Sequence, residues 1–137
     1  MGNKPYKGRL ELKDIHHVAI ICSNYDVSKI FYTQVMGFEI LRETYRASRN
    51  SFKLDLKVSD KYQIELFSFP HPLPRPSTPE ACGLRHMAFA VNNLDESIAV
   101  LKKKGVVTEP VRVDELTGNR FTFFPDPDGL PLELYEQ

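Results

Sequence analysis

The feature that most constrains this chain is an internal repeat that covers nearly its whole length. An offset of 69 residues aligns His17 with His86, and an offset of 68 residues aligns Glu65 with Glu133. Other pairs follow in the same order: Ala19 with Ala88, Asn24 with Asn93, Asp26 with Asp95, Gly37 with Gly105, and Asp60 with Asp128. Chance matches do not keep one order over half a chain, so a duplicated folding unit is predicted.

Both halves contain the same predicted elements in the same order. Apolar runs rich in branched side chains predict a first strand at 15–22 and again at 84–91. Apolar residues at helical spacing come next. They are Val27, Ile30, Phe31 and Val35 in the first half, and Leu94, Ile98 and Leu101 in the second. Asn93 with Glu96 resembles a capping box, and Gly37 and Gly105 stand where helices end.

Three further strands are predicted in each half, separated by turn residues. They lie at 38–46, 50–58 and 61–68, and then at 106–113, 118–125 and 130–136. The repeated unit is therefore β-α-β-β-β, and the fold class is α+β with two such modules in tandem. At 137 residues, the chain has the length of a single domain.

A proline-rich connector separates the two modules. Segment 69–82 holds Pro70, Pro72, Pro74, Pro76 and Pro79, which are half of the ten prolines. Proline fixes φ and donates no backbone hydrogen bond, so a stiff link is expected here. The predicted organisation is one domain, 1–137, with a first module at 14–68 and a second module at 83–136.

Charge and cysteine content exclude several classes of protein. Lys and Arg together number 18, as do Asp and Glu. A net charge of zero argues against nucleic-acid and membrane-surface binding. The two cysteines form no CxxC pair, residues 1–6 lack the apolar run of a signal peptide, and no stretch could span a membrane. A cytoplasmic location is expected.

One carboxylate interrupts the last strand of each module. Period-two alternation places Glu65 and Phe67 on the face opposite Ile64. The same alternation places Glu133 beside Tyr135 in the second module. Both modules therefore direct one carboxylate from the middle of their last strand, with an aromatic residue two places further on.

One histidine is also repeated in the two first strands. His17 and His86 occupy equivalent positions, whereas His16 is expected on the opposite strand face. Alone, a strand histidine is more often a core group and a strand glutamate is usually solvated. Two imidazoles and two carboxylates at repeat-equivalent positions favour a divalent first-row metal instead. A structural zinc site would more often use thiolates.

With these residues in view, the sequence resembles the vicinal oxygen chelate superfamily, and within it the glyoxalase I (lactoylglutathione lyase) branch. The resemblance covers 14–136 and is most specific at 15–20, 83–89 and 126–134; the run 112–124 is similar to small bacterial glyoxalase-like proteins. It implies the glyoxalase/bleomycin resistance/dioxygenase fold, a curved mixed sheet around a metal cavity. The implied metal ligands are His17, Glu65, His86 and Glu133.

The resemblance also implies an activity and a cofactor. The expected enzyme is a glyoxalase I-like lyase or isomerase with one Ni²⁺, Co²⁺ or Zn²⁺ per site, Mn²⁺ and Fe²⁺ being alternatives. Lewis-acid catalysis would assist proton abstraction next to a carbonyl through an enediolate, with Glu133 as base and Glu65 as its partner. The expected small-molecule substrate is an adduct of an α-oxoaldehyde with a thiol.

The chain departs from the glutathione-using enzymes at two positions. Those enzymes place Arg four residues after the first His ligand and Asn four residues after the first Glu ligand. Ile21 and Phe69 stand there in this sequence. An apolar side chain cannot replace a charge-assisted hydrogen bond to a carboxylate, so glutathione itself is not the expected thiol.

Candidate substrate-binding residues come from the same strands. For anionic groups the sequence offers Arg46, Arg49, Lys53 and Arg120. The aromatic residues Phe67, Phe69 and Tyr135 could line an apolar pocket, although core packing is an equal alternative. The resemblance implies a homodimer, and a site within one chain or across a twofold axis both remain open.

Two alternatives are kept beside the lyase hypothesis. A metal-dependent epimerase or dioxygenase of the same superfamily would share the ligands and change the reaction, and redox-active iron would indicate the oxygenase. A metal-free small-molecule-binding module of the drug-resistance type is the non-enzymatic alternative. The repeated His and Glu residues argue against it, because such a module has no use for them.

Overall fold

Two four-stranded sheets make up the fold in the computed structural model, which describes residues 8–137. The strand orders are β1-β4-β3-β2 and β5-β8-β7-β6. The elements are β1 His17–Cys22, α1 Tyr25–Ile30, β2 Glu39–Arg46, β3 Ser51–Lys57, β4 Gln63–Ser68, β5 Met87–Val91, α2 Leu94–Lys103, β6 Arg112–Val113, β7 Arg120–Pro125 and β8 Pro131–Glu136. A π-helical turn, Phe31–Val35, continues α1, and a 3₁₀ turn, Ala47–Arg49, follows β2.

The two sheets share one topology. In each, the first strand pairs parallel with the last, and the remaining pairs are antiparallel. The register sets Ala19 opposite Glu65 in the first module and Ala88 opposite Glu133 in the second. The predicted α+β fold with tandem β-α-β-β-β modules is confirmed.

The predicted cap at Asn93 and the predicted helix ends at Gly37 and Gly105 are also confirmed, and Asn24 caps α1 in the same way. Asn24 Oδ1 accepts from the Val27 N–H at 3.2 Å, and Asn93 Oδ1 accepts from the Glu96 N–H at 3.0 Å. Each bond satisfies one of the donors that the first helical turn leaves free. Gly37 and Gly105 have φ of 77° and 83°, left-handed values that glycine adopts at low cost.

The predicted apolar stripe of α1 is wrong at two of its positions. Val27 and Ile30 are 50% and 52% exposed, whereas Ser28 and Tyr32 are buried. Phe31 and Val35 still pack against the core. The π-helical turn changes the helical spacing at this point, and the buried Tyr32 hydroxyl finds a partner in the second module, so the helix faces the core through a different side.

The strand predicted at 106–113 is mostly absent. Only Arg112 and Val113 pair with β7. Pro110 has no N–H to donate. Glu109, the residue before it, bonds to β7 outside the ladder: its N–H donates to Phe123 O, and its carbonyl oxygen accepts from the Thr122 hydroxyl. The ladder is therefore interrupted, and β6 is short.

The prediction that residues 1–6 lack a signal peptide falls outside the described residues. Within 8–137, no helix has the length and apolar character needed to cross a membrane.

The inner sheet faces and both helices form one apolar core. Its fully buried members include Tyr32, Leu54, Leu56, Ile64, Leu66, Leu94, Phe124 and Leu132. Val35 and Met36 from the first module line a small pocket together with Phe124 and Leu134 from the second. The modules thus pack through their helix-bearing sides, which leaves the opposite sheet faces free.

A buried polar link joins the modules at Asp126. Its carboxylate accepts from the Tyr32 hydroxyl at 2.7 Å and from the backbone N–H groups of Asp128 and Leu130 at 2.8 and 2.9 Å. Burial and the Asp126 charge raise the pKa of Tyr32 far above its ordinary value. Tyr32 therefore remains a neutral hydrogen-bond donor across the module boundary.

Replacing Tyr32 with Phe should lower the free energy of unfolding by about 1.5–3 kcal/mol, the usual worth of a hydrogen bond to a charged group. Urea denaturation followed by circular dichroism measures the change. Tyr62→Phe is the matched control, because Tyr62 is 45% exposed and a surface change should stay within about 0.5 kcal/mol. If both substitutions change the free energy of unfolding by the same small amount, the Tyr32–Asp126 hydrogen bond does not stabilise the fold.

The two cysteines should differ sharply in reactivity. Cys22 is 1% exposed, its thiol donates to Phe67 O at 3.3 Å, and burial together with Asp128 raises its pKa to about 11. Cys82 is exposed. At pH 8, a thiol reagent should modify one cysteine per chain in the native protein and two after denaturation. Native Cys82→Ser protein should not react; fast modification of that variant would contradict the burial of Cys22.

Candidate metal centre

The first candidate pair lies on adjacent strands of the first sheet. His17 begins β1, and Glu65 stands in the middle of β4. The parallel register sets Gln63 opposite His17, so Glu65 lies two residues further along the neighbouring strand on the same face. His17 Nδ1 is 3.3 Å from Glu65 Oε2. Glu65 is only 8% exposed, while the His17 side chain is 39% exposed. The imidazole therefore covers the carboxylate from the solvent side.

The second pair repeats this arrangement in the second sheet. His86 directly precedes β5, and Glu133 stands in the middle of β8. His86 Nε2 is 3.1 Å from Glu133 Oε1, and Glu133 is 9% exposed. The His86 ring also meets the Phe123 ring edge-on, with centroids 5.1 Å apart. Phe123 lies opposite Glu133 in the register, so it supports both members of the pair.

Both pairs have the donor chemistry and spacing of metal ligands. Metal bonds to His nitrogen and carboxylate oxygen are about 2.0–2.2 Å long, so neighbouring ligands at a right angle lie about 3 Å apart. The observed nitrogen–oxygen distances of 3.1 and 3.3 Å match that spacing. Each pair therefore fits one half of a two-His, two-Glu set.

The structure brings the four candidates together as two pairs. Among residues 8–137, no group of three or more His, Cys, Asp or Glu side chains is placed to hold one ion. The pairs lie on the exposed sides of two different sheets.

His16 lies closer to the first pair than strand alternation predicts. Its Nδ1 is 2.8 Å from His17 Nδ1, and the two rings are nearly perpendicular. The prediction that His16 points away from His17 is wrong, because β1 begins at His17 and alternation does not extend to the residue before it.

Charge distinguishes the two pairs. Lys53 Nζ lies 3.8 Å from Glu65 Oε1 and 3.5 Å from Asp55 Oδ1. Among the described residues, no Lys or Arg nitrogen lies within 4 Å of Glu133. Glu65 thus has a cation nearby, whereas Glu133 has the Phe123 ring instead.

The aromatic candidates flank the two pairs. Phe67 follows Glu65 by two residues on β4, and its ring stacks on Phe69 with centroids 6.0 Å apart. Tyr135 follows Glu133 by two residues on β8. Its hydroxyl donates to Asp114 Oδ2 at 2.9 Å and contacts the Thr117 hydroxyl. The 114–117 loop therefore fixes the position of Tyr135.

Arg120 is not brought to either pair. Alternation along β7 puts it on the same face as buried Thr122, the side that carries α2. There its guanidinium bonds Glu136 at 3.0 Å and Asp95 at 3.2–3.3 Å. This ion pair, with a backbone bond from Leu94, holds the pKa of Glu136 below its ordinary range. Period-two alternation along 120–124 could have indicated this placement.

Arg112 is a site-face residue that sequence reasoning missed. Its guanidinium lies over the rings of Phe121 and Phe123, 5.1 and 5.4 Å from their centroids, and bonds Glu109 at 3.0 Å. Arg112 lies on β6, which has only two residues, so hydrophobic alternation cannot predict its register with β7.

The chain is an α+β domain of two tandem β-α-β-β-β modules. Each module carries one His–Glu pair on its free sheet face, so the candidate metal ligands are divided between the two modules. The family model of the Glyoxalase/Bleomycin resistance protein/Dioxygenase superfamily matches residues 14–134. The chain belongs to this family.

Highly similar proteins occur in bacteria. The chain is 60% identical to "Uncharacterized protein YwkD" of Bacillus subtilis, over 92% of this chain and 98% of that protein. It is 57% identical to "Uncharacterized protein YaeR" of Escherichia coli, over 93% and 99%. The crystal structure of a glyoxalase family protein from Enterococcus faecalis superposes with a TM-score of 0.85 at 54% identity, covering 90% of this chain and 98% of that one.

Proposed function

We propose that this chain is a glyoxalase-like lyase or isomerase that requires a divalent metal ion and acts next to a carbonyl group of a small molecule. The observation that carries the proposal is the duplicated contact between a partly exposed imidazole and a buried carboxylate. A carboxylate less than a tenth exposed needs a charge partner. Two such pairs at repeat-equivalent positions favour a shared function over two independent structural contacts.

The ligands in this proposal are His17, Glu65, His86 and Glu133, with Ni²⁺, Co²⁺ or Zn²⁺ preferred and Mn²⁺ or Fe²⁺ as alternatives. The bound ion would supply Lewis acidity, which acidifies a C–H group beside a carbonyl and stabilises negative charge on its oxygen. The protein residues would orient the substrate and move the proton.

Two copies of the chain would complete the site, each contributing one His–Glu pair to it. The division of the four side chains into two pairs within residues 8–137 supports this arrangement. The face of the first pair also carries Ala19 and Ile21, and the face of the second pair carries Ala88 and Ala90, all of them exposed. Small apolar residues around a polar pair are suited to being covered by another protein surface.

Glu133 would be the base. Lys53 offsets part of the Glu65 charge, whereas Glu133 has an aromatic neighbour and no nearby cation among the described residues. A carboxylate that is not paired with a cation is free to turn toward the substrate and accept its proton. Glu133 would therefore take the proton from the substrate carbon and return it, while Glu65 would stay a metal ligand on the other side.

The substrate would be an α-oxoaldehyde–thiol adduct or a similar small molecule, with a thiol other than glutathione. Ile21 is 55% exposed and stands where the glutathione-using enzymes have an arginine. An apolar side chain there cannot replace a charge-assisted hydrogen bond to a glutathione carboxylate, which favours a different thiol.

The test is metal reconstitution with a panel of substrates. Chelator-treated protein is reloaded separately with Ni²⁺, Co²⁺, Zn²⁺, Mn²⁺ or Fe²⁺ and assayed on α-oxoaldehyde adducts of several thiols. Proton exchange at the substrate carbon is followed in D₂O by NMR. We expect exchange and turnover only in metal-loaded protein. Equal activity of the metal-free protein would refute the proposal, and O₂ consumption with Fe²⁺ alone would indicate the dioxygenase instead.

A further inference from the structure

Two arginines converge on one aromatic ring beside the first His–Glu pair. The Arg46 and Arg49 guanidinium carbons lie 5.6 and 5.7 Å from the centroid of the Phe69 ring. Arg46 also lies over the Phe67 ring at 4.9 Å. An anion that lies near both guanidinium groups would be attracted by both charges.

The structure supplies no such anion from the chain itself. Among residues 8–137, no carboxylate oxygen lies within 4 Å of either guanidinium. Arg46 Nη2 donates to the Ser51 hydroxyl at 2.9 Å, but Arg46 Nε is buried and has no hydrogen-bond partner. Removing a charged donor from water without a partner costs free energy, and an arriving oxyanion would offset that cost.

Arg112 shows that stacking on aromatic rings does not by itself leave a guanidinium without a counter-ion. It lies over two phenylalanine rings in the second module at similar distances, yet it forms a 3.0 Å ion pair with Glu109. Arg46 and Arg49 stack on the rings of Phe67 and Phe69 in a similar way, but no carboxylate of the described residues lies within 4 Å of either guanidinium.

The arginine pair lies on the same sheet face as Glu65. Arg46 is opposite Ser51 in the β2–β3 register, and alternation puts both on the face of Lys53 and Asp55. Phe67 follows Glu65 by two residues on β4, which is roughly 7 Å along a strand at about 3.3 Å per residue. A small molecule could therefore span from the His17–Glu65 pair to the arginines.

We infer that Arg46 and Arg49 form a binding subsite for an oxyanion group of the substrate, a carboxylate or a phosphate. A planar guanidinium matches either group through two parallel hydrogen bonds, and Phe67 and Phe69 hold the guanidinium in place. The inference rests on the proposed function for the other end of the substrate. The substrate class becomes a small carbonyl compound that carries a terminal carboxylate or phosphate.

The test measures anion binding to metal-free protein, so that the metal site does not contribute. Inorganic phosphate and propionate are titrated separately at constant ionic strength, and binding is followed by calorimetry. We expect saturable binding of at least one probe, and at least ten-fold weaker binding by Arg46→Gln/Arg49→Gln. The better-bound probe tells phosphate from carboxylate. Arg120→Gln is the control, because Arg120 lies on the opposite sheet face and pairs with Glu136 and Asp95; it should bind as the wild type does.

A folding defect is separated from loss of the subsite by a second variant. Arg46→Lys keeps the charge and loses the planar fork, so its affinity should fall between those of the wild type and the double variant. Absence of binding to wild-type protein, or wild-type affinity in the double variant, would overturn the inference.

The two proposals fail separately in this design. Metal content is determined on portions of the same samples after reloading, and the double variant should take up as much metal as the wild type. Anion binding without metal uptake would refute the proposed metalloenzyme and leave the oxyanion subsite standing. Metal uptake and turnover without anion binding would refute the subsite alone.

Discussion

Glu133→Gln should lower turnover by about 10²–10⁴-fold, the usual contribution of a positioned general base. The amide has nearly the same shape as the carboxylate but cannot take up the substrate proton. His86, 3.1 Å away, remains in place and still offers a ligand nitrogen. The variant should therefore retain part of its metal while losing activity. Turnover and metal content are measured on the same metal-loaded preparation.

Glu65→Gln is the matched control, because it is the repeat-equivalent substitution. Its effect on turnover should be smaller, since Glu65 acts as a ligand beside Lys53 and does not carry the proton. A larger loss of turnover in Glu65→Gln than in Glu133→Gln, at equal metal occupancy, would reverse the roles of the two carboxylates.

Two inactive variants should restore metal binding when they are combined. One variant carries His17→Ala and Glu65→Ala, and the other carries His86→Ala and Glu133→Ala. If each site takes one pair from each of two copies, a mixed dimer contains one intact site and one site that has lost all four ligands. Differently tagged variants are co-expressed, mixed dimers are isolated through both tags, and bound metal is determined. We expect half the wild-type content.

The result of that experiment depends on whether each metal site lies within one chain or is shared between two copies. A site built within one chain would be broken in both variants, so mixed dimers would stay empty. Homodimers of each variant serve as controls and should also be empty. Empty mixed dimers, together with full wild-type protein, would contradict a site shared between copies.

The sequence predicts the fold well because the repeat and the strand alternation are strong local signals. Asn93 and Gly105 stand at the ends of α2 where capping chemistry requires them, and both act there as predicted. The errors arise where tertiary contacts override local pattern. Tyr32 turns α1 toward Asp126, a partner 94 residues away. No local pattern contains that contact.

The candidate site, like the fold, could be predicted from the sequence only in part. The placement of Glu65 and Glu133 follows from alternation along a strand, and the structure shows both beside a histidine. The prediction that Arg120 binds substrate anions is not supported, because the structure pairs Arg120 with Glu136 on the opposite sheet face. Alternation along 120–124 indicates the sheet face of Arg120, but the carboxylates that pair with it come from other elements, so its counter-ions could not be predicted from sequence alone.

The most direct test of the account is the metal content of protein purified without chelators or a metal-affinity column. Elemental analysis of the wild type is compared with the His17→Ala/Glu133→Ala variant, which removes one ligand from each pair. The account predicts about one divalent ion per chain in the wild type and none in the variant. Equal occupancy of both proteins would contradict the two-His, two-Glu centre. So would wild-type protein that stays empty after incubation with Ni²⁺, Co²⁺, Zn²⁺, Mn²⁺ and Fe²⁺.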